Sequence, residues 1–104
     1  MENLMELEDK IVRMIKTVYD PEIPVNIYDL GLIYGVDIDD EKNVVITMTL
    51  TAPACPAADF IVEDVKMKVE SIPELKNIDV KIVFEPEWHT GLMSDEAKLE
   101  LGFL

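Results

Sequence analysis

The sequence predicts an α+β domain: a two-layer α/β sandwich in the order α-β-β-α-β-α, with a three-stranded sheet covered by helices mainly on one face. Three observations predict it. Two long segments repeat apolar residues at helical spacing, two others alternate apolar and polar residues as half-buried strands do, and the types succeed one another without an internal repeat. The 104 residues are one domain's length, so residues 1–104 are expected to fold around a single core.

Leu4, Leu7, Ile11, Met14, Ile15 and Val18 define the first helix, expected over residues 4–18. Glu6 with Lys10 and Asp9 with Arg13 are acid-before-base pairs four apart that support it. Pro21 and Pro24 end it, because proline donates no N–H and restricts the residue before it. A connection from Asp20 to Leu30 follows, long enough to be read as functional. Gly31–Ile38 and a strand from Val44 to Thr51 then flank the turn Asp39–Asn43 as a hairpin. In the second strand Val44, Ile46, Met48 and Leu50 form the apolar face, opposite a Thr-rich polar face.

The period changes after Ala57. Ala58, Ile61, Val62, Val65, Val69 and Ile72 form one helical stripe, stopped by Pro73. Ile78, Val80, Ile82 and Phe84 alternate with Asp79, Lys81, Val83 and Glu85 as a third strand. Ser94 is an N-cap residue, acids follow it and Gly102 closes the segment, so a short final helix is expected there.

Charge excludes some functions. Nine Lys and Arg stand against 22 Asp and Glu, a formal net charge of −13. Phosphate backbones require clustered cations, so nucleic acid is not an expected partner, and an anionic membrane surface would repel the chain. No apolar run approaches a membrane span and Met1–Glu6 has no basic, apolar leader pattern. A single cysteine cannot form an internal disulfide, so a reducing cytoplasm is the expected compartment. There is no glycine-rich phosphate loop, H-E-x-x-H or G-x-S-x-G.

The chemistry-bearing residues are few. Cys55 lies in Thr51-Ala52-Pro53-Ala54-Cys55-Pro56, between the Thr-rich strand bearing Thr49 and a helix expected to begin at Pro56. N–H groups at a helix start favour a thiolate, nearby carboxylates oppose it, and an inert small residue at a turn is the plain alternative. Asp20 and Glu22 lie two apart on a proline-stiffened loop, where they could meet a hard cation or a basic partner, or simply organise a turn. Asp29, before Leu30-Gly31, reads as a turn or cap residue. His89, the only histidine, follows the only Trp, Trp88; it is expected on a surface loop, with a Cys–His nucleophilic pair as the alternative. One Cys and one His cannot enclose a structural zinc, which needs four ligands.

Taken in order, Asp20-Pro21-Glu22-Ile23-Pro24, Asp29-Leu30-Gly31-Leu32-Ile33-Tyr34 and Thr49-Leu50-Thr51-Ala52-Pro53-Ala54-Cys55-Pro56 resemble the SufT/PaaD-like metal–sulfur cluster assembly family. Phe84-Glu85-Pro86-Glu87-Trp88 and Met93-Ser94 with Leu101-Gly102 resemble its C-terminal segment. The resemblance implies an α/β fold and an accessory, non-enzymatic role in maturing iron–sulfur proteins. It implies protein contacts and a reactive cysteine at Cys55, with Asp20, Glu22, Asp29, Thr49, Thr51, Pro53 and Pro56 as its supporting loops and Trp88 and His89 as partner surface. The longer PaaD members carry a further cysteine-rich C-terminal region; this chain ends at Leu104 without it and resembles the minimal SufT-type form.

No tightly bound cofactor is expected. A cluster or iron would be transient cargo, with Cys55 as one metal ligand and the others shared. The expected partners are iron–sulfur assembly proteins and apo-protein clients, and a homodimer would supply a second Cys55. A thiol-dependent enzyme using Cys55, and a pure protein-binding adaptor, are the alternatives.

Overall fold

In the computed structural model, residues 3–20, 23–51 and 58–103 are described. The expected element order is found: α1 (Leu4–Ile15), β1 (Ile33–Ile38), β2 (Asn43–Met48), α2 (Ala58–Glu70), β3 (Asn77–Ile82), a 3₁₀ turn over Thr90–Leu92 and α3 (Asp95–Glu100). Asn3 starts α1, its side-chain oxygen accepting the Glu6 N–H at 2.9 Å. The helix closes at Ile15, three residues earlier than the apolar stripe suggests. The Thr17 hydroxyl takes the Met14 carbonyl, and the Val18 carbonyl is used by Ile27 N–H at 2.9 Å. Val18 is still fully buried, because the tightened last turn keeps it on the same face.

The strand order is β1-β2-β3, with β1–β2 antiparallel and β2–β3 parallel. Antiparallel neighbours can share a tight turn, whereas a parallel pair needs a crossover, here α2. Val44, Ile46 and Met48 are buried on one face of the central strand against Leu7, Ile11 and Ile15 of α1 and Ile61, Val65 and Val69 of α2. Burying each such side chain contributes about 1.5–3 kcal/mol.

Three sequence expectations change. In β1, Ile33 pairs with Met48 but Gly35 pairs with Thr47, so Tyr34 is an extra, bulged residue. The bulge puts Ile33, Val36 and Ile38 against one core despite their uneven spacing. β2 ends at Met48, and Thr49, assigned to the polar face, is 1 % exposed, its N–H turned to the Leu32 carbonyl at 2.8 Å. β3 ends at Ile82; Val83 donates to the Met48 carbonyl, and Phe84 beyond it is exposed rather than apolar-face core.

The hairpin end of the sheet is held by Asp39. Its Oδ1 accepts the N–H groups of Glu41 and Asn43 at 2.9 Å, and its Oδ2 accepts the Asn43 side-chain amide at 3.0 Å. These bonds, the Asn43 backbone first, hold the carboxyl below its ordinary range. A lowered folded value means that this carboxylate stabilises the fold above the unfolded-chain value of about 4, and that the contribution is lost as pH falls through the folded value. Urea denaturation of the wild type and Asp39→Ala should therefore give a stability gap at pH 7 that closes in acid; a gap constant with pH contradicts the assignment.

Candidate functional site

The parallel β2–β3 pair brings the residues that leave both strands to the same edge of the sheet. Thr49, Leu50 and Thr51 leave β2 there, and Phe84, Glu85, Pro86, Glu87 and Trp88 follow β3. Together they line a cleft of about 450 Å³. In open α/β sheets, the carboxyl ends of parallel strands are where ligands bind.

The cleft's far wall is fixed from β1 and the loop before it. Residues 26–31 make one hydrogen-bonded turn, started by Asn26. Its Oδ1 accepts the Asp29 N–H at 2.9 Å, and its side-chain amide donates to Asp29 Oδ2 at 2.7 Å. At the end of the turn every carbonyl has a donor. Leu32 N–H reaches the Ile27 carbonyl and Gly31 N–H that of Tyr28, with Gly31 at φ 82°, the arrangement that commonly closes helices. The Asp29 carbonyl accepts the Ser94 N–H at 2.8 Å, and the Leu30 carbonyl accepts the Trp88 indole N–H at 2.7 Å. Two of the four carbonyls are thus satisfied by the C-terminal segment, which is thereby tied to the turn. The bulged Tyr34 adds a third tie, its hydroxyl donating to the Pro86 carbonyl at 2.6 Å. The Glu85–Pro86 peptide between these anchors is cis.

The sequence-predicted residues do not all converge. Thr49, Thr51 and Trp88 share the cleft. Trp88 is half-buried, one side packed on the core. His89 is exposed and lines a neighbouring cleft of about 470 Å³ with Gly31, Tyr34 and Leu92, joined to the first through Pro86 and Glu87. Its Nδ1 accepts the Gly91 N–H at 3.1 Å. Asp29 faces away, into a small cleft with Glu96 and Glu100 of α3. Asp20 is 6 % exposed, and its carbonyl accepts the Ile23 N–H at 3.1 Å. Glu22, Pro53, Cys55 and Pro56 lie outside the described residues. Among the described residues, no three His, Cys, Asp or Glu side chains gather as a metal site. Leu92 has no signal in the sequence, and Tyr34 stands there only as the last residue of the Asp29–Tyr34 segment, with no site role assigned to it.

Comparison with known proteins agrees with this architecture. A family model described as "Iron-sulfur cluster assembly protein" matches residues 8–82. A protein of Porphyromonas gingivalis named "Fe-S protein maturation auxiliary factor" is 63 % identical over 100 residues, covering 96 % of this chain and 95 % of the relative. The Bacillus subtilis "Fe-S protein maturation auxiliary factor YitW" is 44 % identical over 96 residues, covering 92 % and 94 %. A crystal structure of a domain of unknown function, DUF59, from Bacillus anthracis superposes with a TM-score of 0.90 at 42 % identity, covering 98 % of this chain and all of that one.

Gly31 is the position on which the wall depends. A Cβ there would lie 2.4 Å from the Leu92 carbonyl oxygen, at a backbone angle that side chains rarely adopt. Gly31→Ala should cost more than about 2 kcal/mol in chemical denaturation. Trp88→Phe, which strips the Leu30 carbonyl of its donor and trims the ring packed on the core, should cost about 1–2 kcal/mol. Equal and negligible costs would contradict the tie.

Proposed function

The chain belongs to the iron–sulfur cluster assembly protein family, and from that premise we propose that it is an accessory, non-enzymatic factor in maturing iron–sulfur proteins. The carrying observation is the cleft between Thr49–Thr51 and Phe84–Trp88 at the carboxyl edge of the parallel strand pair. Cys55 follows Thr51 by four residues and precedes Ala58 by three, so chain connectivity tethers its thiol to the strand end that forms one wall.

In this reading Cys55 is one ligand or contact for a cluster or iron, which passes through as cargo. A thiolate is the form that binds iron. One Cys and one His in the whole chain cannot complete four-fold ligation, so the remaining ligands come from an assembly protein, an apo-client or a second copy. That requirement makes the complex transient: the cargo leaves with whichever protein supplies more ligands. Trp88 fixes the wall through its indole N–H and leaves part of its ring at the cleft, where an apolar side chain of a client could rest. Thr51 adds a partly exposed, uncharged residue to the lining, whereas Thr49 is buried in the wall. Glu85 and Glu87 give the rim its negative sign, which favours a basic client. Asp29 organises the 26–31 turn behind this wall through its two hydrogen bonds with Asn26. His89 is not needed as a base in this account, since its Nδ1 is engaged by Gly91. The cytoplasm, where cysteine stays reduced, is the compartment that suits such a thiol. No helix among the described residues is long and apolar enough to cross a membrane.

In a bacterium deleted for its own factor of this family, the wild-type chain should restore the activity of iron–sulfur enzymes. Cys55→Ala, checked to be folded, should restore at least about tenfold less. Full restoration by Cys55→Ala would remove the cysteine from the mechanism and leave a binding adaptor.

A further inference from the structure

Helix α2 is apolar on two sides. Ile61, Val65 and Val69 are buried beneath it, yet Phe60 is 80 % exposed and Met67 is 63 % exposed. Phe60 and Met67 are two turns apart, and Glu63 and Asp64 lie between them on the same outward face. With Tyr19, itself more than half exposed, and the edge of Ile61, these residues line a groove of about 460 Å³. None of them belongs to the cleft described above, and the argument is independent of Cys55.

We propose that this groove docks a helical segment of a partner protein that is apolar on one side and carries Lys or Arg on the other. Three observations carry it. Exposed aromatic and Met side chains are costly in water and are the residue types that anchor interfaces. The spacing of Phe60 and Met67 matches the two-turn spacing of apolar anchors on a helix laid in a groove. Among the described residues, the charged members of the lining are acidic, Glu63 and Asp64; Lys66 and Lys68 of the same helix are not part of it. A second copy would oppose carboxylates to carboxylates across this face, and an anionic membrane would meet both these acids and a net charge of −13. A cationic amphipathic segment meets all three requirements.

The test uses the full-length, isotope-labelled chain and two synthetic peptides of about 18 residues. Both place Leu on one helical face; one has Lys and the other Glu on the opposite face. The Leu/Lys peptide should shift the amide resonances of Tyr19, Phe60, Ile61, Glu63, Asp64 and Met67, and the Leu/Glu peptide should not. Phe60→Ser with Met67→Ser, and separately Glu63→Lys with Asp64→Lys, should each weaken the Leu/Lys peptide at least about tenfold. Phe60, Glu63 and Met67 are exposed and Asp64 is partly exposed, so the variants should melt close to the wild type, and Leu99→Ser with Phe103→Ser, exposed apolar residues elsewhere, should leave binding unchanged. Shifts spread over the acidic surface, undiminished binding by either double variant, or a concentration-dependent dimer in sedimentation that Phe60→Ser abolishes would each overturn the proposal.

Discussion

The parallel pairing of β2 with β3 is the constraint from which the rest of this structure follows. Six residues of β2, Asn43 to Met48, lie in register with Asn77 to Ile82. Because both strands run the same way, their exits fall on one edge of the sheet. An antiparallel third strand would have sent Phe84–Trp88 to the hairpin end, and no cleft could have formed beside Thr49–Thr51. The same pairing demands a crossover, and α2 supplies it while covering the sheet face on which Val44, Ile46 and Met48 are buried. The link between the strand exit and that helix is the segment that holds Cys55.

The two ends of the sheet are closed differently. At the hairpin end, Asp39 is bonded within its own turn, and the Asn77 amide and the Lys76 N–H, at the start of β3, reach Asn43 and the Lys42 carbonyl. At the cleft end, the bonds join parts of the chain far apart in sequence: Tyr34 with Pro86, Leu30 with Trp88, and Asp29 with Ser94. The carbonyls of the 26–31 turn act as the docking points, and Gly31 lets the Leu92 backbone approach at a distance that any side chain would prevent. The wall of the cleft is therefore a tertiary product, fixed only when the C-terminal segment has returned.

That difference explains what could be read from the sequence. The stripes Leu7-Ile11-Ile15 and Ile61-Val65-Val69, and the alternation in β2 and β3, are local patterns and gave both helices and the sheet. The Ser94 cap was legible for the same reason, and its hydroxyl accepts the Ala97 N–H at 3.1 Å. The bulge at Tyr34 was hidden because one inserted residue breaks the period on which strand recognition rests. The burial of Thr49 was not legible because the strand stops one residue before it, where its N–H meets the Leu32 carbonyl. Strand order, and with it the partnership of Thr49–Thr51 with Phe84–Trp88, depends on contacts more than thirty residues apart that no local period encodes. Asp29 illustrates the converse: its role in the turn was legible from its place before Leu30-Gly31, but its separation from the cleft was not.

The proposal at the centre of this account is that Cys55 works together with the wall Phe84–Trp88. The rate of Cys55 alkylation by iodoacetamide at neutral pH tests it most directly, because the thiolate is the reacting form and nearby carboxylates suppress it. Reversing the charges of Glu85 and Glu87 to Lys should raise that rate several-fold at about 0.1 M salt. The same double reversal at Asp40 and Glu41, at the hairpin end, should leave it nearly unchanged, since screening confines the effect to about 10 Å. Equal responses to the two reversals, or none to the first, would contradict the shared edge.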